Sequence, residues 1–595
     1  MRTAPLLLLS ALLPACTSVE APATKAAAPQ ASAAEVEAWI AEGRALLAAG
    51  KPLEAEAPLA RAAAAEGDSL RTRMWVLRAW MDQGRSNDTL DALDELDRAG
   101  VKGVEMSYLY GMAFARRAEG YLADGVTDSS VQNNFLDATG LLGEATAADP
   151  QRFRDAFLPL ARAAWYVSEF EIARAAADRA VELAPDSAAA WLERGRITMT
   201  QFAEASADEP EGARAQALLA EARDAFQRAL AAAGTPADEA GALLLADAAL
   251  QLGHTCLWLR AGPEATEAYG IAAAWNPQGF DYAQVLESLR GVPRDLADDR
   301  PSGFRAALEG ARALRAELGL VDDAGAGTLL WWLGWARFNE GEFAGAEEAF
   351  QASLALVPEY VNAWFYVGLA RQYGKDSEGA LTAMHAGWDA DPAAMVAAAS
   401  GAGGALRAFE GLLAWCAEQE PPRNLDAAFL AEMLAEAMPS EARHWNNLGL
   451  FLRDEGERLE IAAYRKKEPA PDPALLADLY GRSFLAYQRA LELNPDDPQL
   501  VNDTALMLHY HLDGDPADVE TLYRRALDRT DELLAGELSE DDRARYAQTQ
   551  KDIAFNLKAL LDPRVEDEDA EDDAEAEDDA GGTTAASAPS EKAGG

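Results

Sequence analysis

Residues 330 to 392 repeat themselves at a fixed interval of 34, and a period of that length restricts a chain to folds built from one small unit stacked on its own copies. In the first copy Leu330, Leu333, Gly334 and Arg337 are followed by Ala346, Phe350 and Pro358. In the second, Trp364, Val367, Gly368 and Arg371 are followed by Ala380, Met384 and Pro392. Such a unit is a pair of antiparallel helices. Small residues such as Gly368 and Ala380 let the two backbones approach, while Trp364 and Met384 fill the space beside them. The proline stops the second helix and turns the chain into the next unit. No single hairpin buries its apolar face alone, so stability has to come from stacking.

Further copies run along the chain. Trp39, Gly43, Leu46, Ala55 and Leu59 open the series; Trp191, Gly195, Ala222, Phe226 and Ala229 continue it. Leu252, Gly253, Cys256, Ala265, Tyr269, Ala272 and Pro277 form another, and Trp445, Leu448, Gly449, Ser483, Tyr487, Ala490 and Pro495 a late one. Weaker copies cover Arg73 to Leu96, Gly111 to Pro150, Phe157 to Pro185 and Val501 to Asp528, whereas residues 279–326 and 393–438 read as helical but off pattern. The pattern W-x2-L-G-x2-Y, A-x3-F, P resembles the tetratricopeptide repeat (TPR). The resemblance implies an all-α fold: an α-solenoid, a right-handed superhelix of about ten such hairpins over residues 35–561, with a concave inner surface that holds other proteins.

Extra sequence falls between the two helices of three units, near residues 119–134, 201–219 and 454–480. It reads either as flaps over a partner or as lengthened helix ends. After Asp562 and Pro563, eleven of the fourteen residues from Glu566 to Asp579 are acidic. Such a run cannot bury enough apolar surface to offset its ordering entropy, so residues 562–595 are expected to be disordered. A helix over about 543–561 is expected to cap the last repeat.

The N-terminus carries Arg2, an apolar core from Leu6 to Leu13, then Pro14, Ala15 and Cys16. A short positive start, a brief apolar core and a small residue before the cut describe an export signal over residues 1–15, too short for a mature membrane span. Leu13, Ala15 and Cys16 resemble the bacterial lipobox, which implies lipidation of Cys16 and a membrane contact through that lipid alone; the alternative is a plain secretory signal. Residues 16–34 are rich in Ala, Pro, Ser and Thr and read as a tether. Thr17 is not the aspartate associated with inner-membrane retention, so the resemblance leans to the outer membrane.

A formal charge of −48, from 100 Asp and Glu against 52 Lys and Arg, sets nucleic acid aside as a partner, because phosphates would be repelled and no basic stripe is present. No phosphate-binding loop, zinc-protease motif, nucleophile elbow or paired CxxC occurs. His509 and His511 stand two apart, on different helix faces, which disfavours a shared metal. Cys256 and Cys416 read as small buried apolar side chains, not as a bridge across distant repeats. These readings assign no catalytic residue, metal or cofactor.

By the TPR resemblance, the inner groove is lined by first-helix residues that do not face the second helix: Trp331, Trp335 and Phe338 in one unit, Asn362, Phe365, Leu369 and Tyr373 in the next. Aromatic rings in a groove are what a peptide or partner helix uses as anchors; the competing reading is that neighbouring helices bury these rings against each other. A polar version follows with Arg443, Asn446 and Arg453, loosely resembling the carboxylate-gripping grooves of chaperone-binding members. The leading function is an envelope scaffold that recruits proteins. Two alternatives are a structural subunit that assembles through its repeats, and an enzyme with a polar site in an off-pattern stretch.

Overall fold

The computed structural model describes residues 31–67, 69–209, 212–291, 300–401, 406–466 and 469–562. The export signal, Cys16, most of the tether and all of the acidic run lie outside the described residues. Within them there are 26 α-helices, from Ala33–Ala48 to Glu540–Leu561, and no strand. The fold is an all-α solenoid: short turns make paired helices antiparallel neighbours, and within each of its two units hairpins pack on those that follow.

Contacts divide the chain into two compact units, one ending at Thr235 and one beginning at Pro236, where the sequence reads as one continuous body. Gly234 at the division takes a left-handed φ of 57°, and Pro236 has no amide to offer a helix. The first unit holds five hairpins: Ala33–Ala48 with Pro52–Ala65, Leu70–Asp82 with Ser86–Arg98, Val104–Ala123 with Ser129–Ala148, Phe157–Tyr166 with Phe170–Leu183, and Ala188–Asp208 with Ala213–Ala233. Leu93, Leu109, Met112, Leu142 and Ile197 lie in its continuous core.

The second unit begins with Glu239–Trp258 and Gly262–Trp275, and its two best-fitting repeats are Ala324–Asn339 with Phe343–Leu356 and Asn362–Tyr373 with Ser377–Ala390. The off-pattern stretches interrupt this order. Residues 279–326 supply Tyr282–Gly291 and Arg300–Glu317, and residues 393–438 supply Pro392–Gly401, Leu406–Ala417 and Asn424–Ala437, three helices where a repeat has two. Ala442–Lys466 with Pro473–Leu493 and Pro498–Leu506 with Pro516–Leu534 follow. The expected cap spans Glu540–Leu561 and buries Ile553 and Leu557 against Val501, Val519 and Tyr523.

The repeat residues do the packing their types suggest. A Cβ on Gly195 would lie 2.4 Å from the Phe226 ring, and one on Gly253 2.5 Å from the Tyr269 ring; no side chain fits in that space, so the large residue of the second helix sits directly on the first helix's backbone. Arginines one period apart repeat a second contact: Arg337 donates to the Gly345 carbonyl at 3.2 Å and Arg371 to that of Gly379 at 2.9 Å. Each ties the end of one helix to the start of its partner.

Of the two readings of the inserted sequence, the structure has lengthened helices. Val104–Ala123 and Ser129–Ala148 are 20 residues each, and Ala188–Asp208 and Ala213–Ala233 are 21 each, against 16 and 14 in Ala324–Asn339 and Phe343–Leu356. In Ala442–Lys466 the extension is packed like the rest: a Cβ on Gly456 would lie 2.5 Å from Tyr480. Continuing both helices keeps every added backbone group hydrogen-bonded, which a flap would not.

Candidate partner-binding pocket in the second unit

Asp323 caps the helix Ala324–Asn339, accepting from the Ala326 amide at 2.7 Å, and is itself gripped by the Arg315 guanidinium at 2.5 Å. Arg315, almost fully buried, also donates to the Ala274 carbonyl at 2.8 Å. The start of the helix is thereby pinned to the preceding hairpin. One turn on, the Thr328 hydroxyl donates to the Ala324 carbonyl at 3.0 Å and lies 2.8 Å from the Tyr360 hydroxyl. Since the threonine proton is committed, Tyr360 donates to Thr328 and keeps its own oxygen free to accept.

Trp331 and Trp332 form two walls, their rings 5.0 Å apart and nearly perpendicular at 78°. Trp332 is held by stacking on Tyr282 at 4.9 Å. Trp331 donates its indole N–H to the Asn362 Oδ1 at 3.1 Å, which fixes the amide and leaves its nitrogen without a partner among the described residues. Thr328, Trp331, Trp332, Tyr360 and Asn362 enclose about 230 Å³. The lining holds no carboxylate, histidine or thiol to move a proton or attack a bond. What it offers is two indole faces, one N–H donor and one phenolic acceptor, the equipment for seating an apolar side chain beside a peptide group.

The residues singled out in the sequence divide three ways. Trp331 and Asn362 line the pocket. Trp335 lies partly open beside Trp332, with ring centres 5.9 Å apart, and Phe338 packs edge-on against Tyr373 at 5.7 Å and Phe343 at 5.6 Å. Tyr373 is 39% exposed and stacks on Phe343 at 4.8 Å. Phe365 and Leu369, by contrast, are 0% and 1% exposed, so the groove reading is corrected for both. The irregular helix Leu406–Ala417 covers this face, stacking Phe409 on Phe365 at 5.5 Å, and both residues belong to its core with Leu412 and Cys416.

The polar set is also corrected. Arg443 is paired with Glu410 at 3.1 Å, and Arg453 with Asp454 at 2.9 Å and Glu457 at 3.5 Å. The Asn446 Oδ1 is buried without a partner. Both guanidiniums are committed to the protein's own carboxylates, so this face presents no open cationic grip. Buried polar side chains of the off-pattern stretches hold structure: Arg315 as above, and Asn424, which donates to Glu455 at 3.5 Å. Cys256 and Cys416 form no disulfide and both are buried, and burial pushes the Cys416 thiol up to about 12. Among the described residues no His, Cys, Asp and Glu grouping could hold a metal ion; Cys16 lies outside them.

Thr328, Trp332 and Tyr360 went unmarked in the sequence. Trp332 was overlooked beside Trp331, and Tyr360 sits in the turn before Asn362–Tyr373, a place that a rule about helix positions ignores.

No protein-family model matches the chain, and no curated protein matches it. Among solved structures it is similar to YrrB, described as a TPR protein with an unusual peptide-binding site, at 18% identity and a TM-score of 0.22 over 42% of this chain and 92% of that one. It is also similar to the TPR domain of P58(IPK), at 16% identity and a TM-score of 0.19 over 77% of this chain and 99% of that one. Yeast Tom70 matches at 13% identity and a TM-score of 0.19, over 78% of this chain and 99% of that one. Scores this low add nothing to what the hairpin packing itself shows: a solenoid of TPR-like helical pairs.

Proposed function

We propose that this chain is a protein-interaction scaffold, exported and held at the cell envelope by lipid on Cys16, that seats a peptide or helical segment of a partner protein in the pocket beside Trp331. The observation that carries the binding reading is the pocket: Trp331 and Trp332 line it partly exposed, Trp332 stacked on Tyr282 and Trp331 hydrogen-bonded to the Asn362 amide. A braced aromatic wall loses little entropy on binding, which favours such residues as anchors. Support for the anchoring reading is the sequence Leu13-Pro14-Ala15-Cys16 and the outer-membrane leaning is that of Thr17.

Two experiments separate these parts. Pull-down from native envelope extract with the wild-type chain, Trp331→Ala and Trp335→Ala should return partners that the Trp331 variant loses; identical partner sets would remove the pocket from the account. Metabolic labelling with a fatty acid should mark the wild type and leave Cys16→Ser unlabelled and unanchored. A labelled Cys16→Ser protein would discard the lipid anchor while leaving the pocket untouched.

A further inference from the structure

A chain with about twice as many acidic as basic residues nonetheless turns five arginines onto one cleft of its first unit. Arg44 comes from Ala33–Ala48, Arg71 and Arg78 from Leu70–Asp82, and Arg152 and Arg154 from the connection that follows Ser129–Ala148. With Trp75 on its wall, the cleft measures about 540 Å³. Arg44 and Arg78 stand one 34-residue period apart, so the repeat itself places them side by side.

Three of these guanidiniums are held by the protein. Arg71 meets Glu37 at 2.6 Å and Glu66 at 2.9 Å, Arg152 meets Glu105 at 2.6 Å, and Arg78 meets Asp155 at 2.8 Å and Asp82 at 3.5 Å, the two carboxylates that also line the cleft, while donating to the Tyr108 hydroxyl at 2.7 Å. The other two differ. Arg44 and Arg154 have no carboxylate partner among the described residues, although acidic side chains abound on this surface. Arg44 lies over the Trp75 ring at 4.9 Å, which orients its charge without neutralising it.

We propose that this cleft binds an acidic peptide segment of a partner, with Arg44 and Arg154 as the two charges left open for its carboxylates. Guanidinium matches carboxylate in a planar, two-pronged geometry, so each open arginine takes one acidic side chain. The two come from separate segments of the chain, and a ligand that engages both carries more than one carboxylate. Met74 also lines the cleft and offers apolar surface to the small or apolar residues that separate acidic ones in such a peptide. This site is independent of the Trp331 pocket, and either can fail without the other.

The test uses a labelled synthetic peptide with the sequence of residues 566–579, an acidic stretch that this chain itself supplies, and its counterpart with every Asp and Glu replaced by Asn and Gln. Binding is followed by fluorescence anisotropy on the full chain, and on a full chain whose own residues 566–579 carry the same replacements, which removes self-competition. The acidic peptide should bind and the amide peptide should not. Arg44→Ala with Arg154→Ala should weaken binding about tenfold or more, with an unchanged circular dichroism spectrum. Added salt should weaken it too. No binding to either chain, or binding indifferent to the double substitution, would overturn the proposal. So would arginine-dependent binding of inorganic polyphosphate without binding of the peptide.

Discussion

The pocket beside Trp331 and the cleft beside Trp75 are built on the same module, and their chemistry is opposite. In the second unit the first helix of a repeat presents indoles held by Tyr282 and an amide; in the first unit first helices present guanidiniums, of which Arg44 is unopposed, and the connection after Ser129–Ala148 adds Arg154. The hairpin packing is indifferent to this choice, because the close contacts that hold it run through Gly195 and Phe226 in one unit and Gly334 and Phe350 in the other. What a repeat shows to a partner is thus free to vary while its framework stays the same.

The largest test of that separation sets two residues one period apart against each other. Trp331 and Phe365 occupy equivalent positions, yet the first is partly open and the second fully buried. Phe365→Ala should lower the stability of the second unit by about 3–5 kcal/mol in denaturant unfolding. Trp331→Ala should remove much less and act mainly on binding; equal losses would erase the distinction between groove and core. In the first unit, Gly195→Val should destabilise by about 1–3 kcal/mol through overpacking on Phe226.

Acid should tell the two units apart, because all five histidines lie beyond Pro236. Burial holds His254 and His444 below their ordinary value, and Arg443 adds to the effect on His444. A depressed folded value means that their contribution to stability is present above about pH 6.5, the unfolded histidine value, and is lost as pH falls below it. Asp503 works the other way: burial raises it to about 6, so its contribution is present at low pH and lost as pH rises through that value. Thermal stability between pH 7 and 5 should therefore change in the second unit and not in the first, and Asp503→Asn, which removes the opposing contribution, should make the second unit lose more stability on acidification. An equal acid response in both units would count against this assignment. Replacing His444, whose two ring nitrogens are buried without partners, by leucine should recover about 1 kcal/mol.

The smallest effect is again in the first unit. Gly140 lies in a helix with open space where a Cβ would go, and Gly140→Ala should stabilise by about 0.5–1 kcal/mol. Opposite signs for Gly140→Ala and Gly195→Val would show which glycines serve close packing.

Much of the framework was legible because it repeats. A glycine on the first helix and a large residue on the second recur together, and the pair is in contact wherever both were marked, as Gly43 with Leu59 and Gly368 with Met384. Site residues were legible only in part. Trp331 and Asn362 were found by their register; Tyr360, in a turn, was not. Of the arginine cleft, only the 34-residue spacing of Arg44 and Arg78 could be read along the sequence; that Arg154 joins them could not, because it lies in a connection outside the helical register.

Periodicity alone was enough to specify helices, their pairing and the stacked solenoid, because those depend on contacts between residues close in sequence and repeated in kind. Which side chains remain open depended on the tertiary structure. Phe365 and Leu369 are core residues because the off-pattern helix Leu406–Ala417 lies across them, and Arg453 is closed to a partner because its side chain is buried near Tyr487 and Asp503 of the helices that follow. Burial is set by whatever packs on a face, and for these residues the covering groups come from other helices.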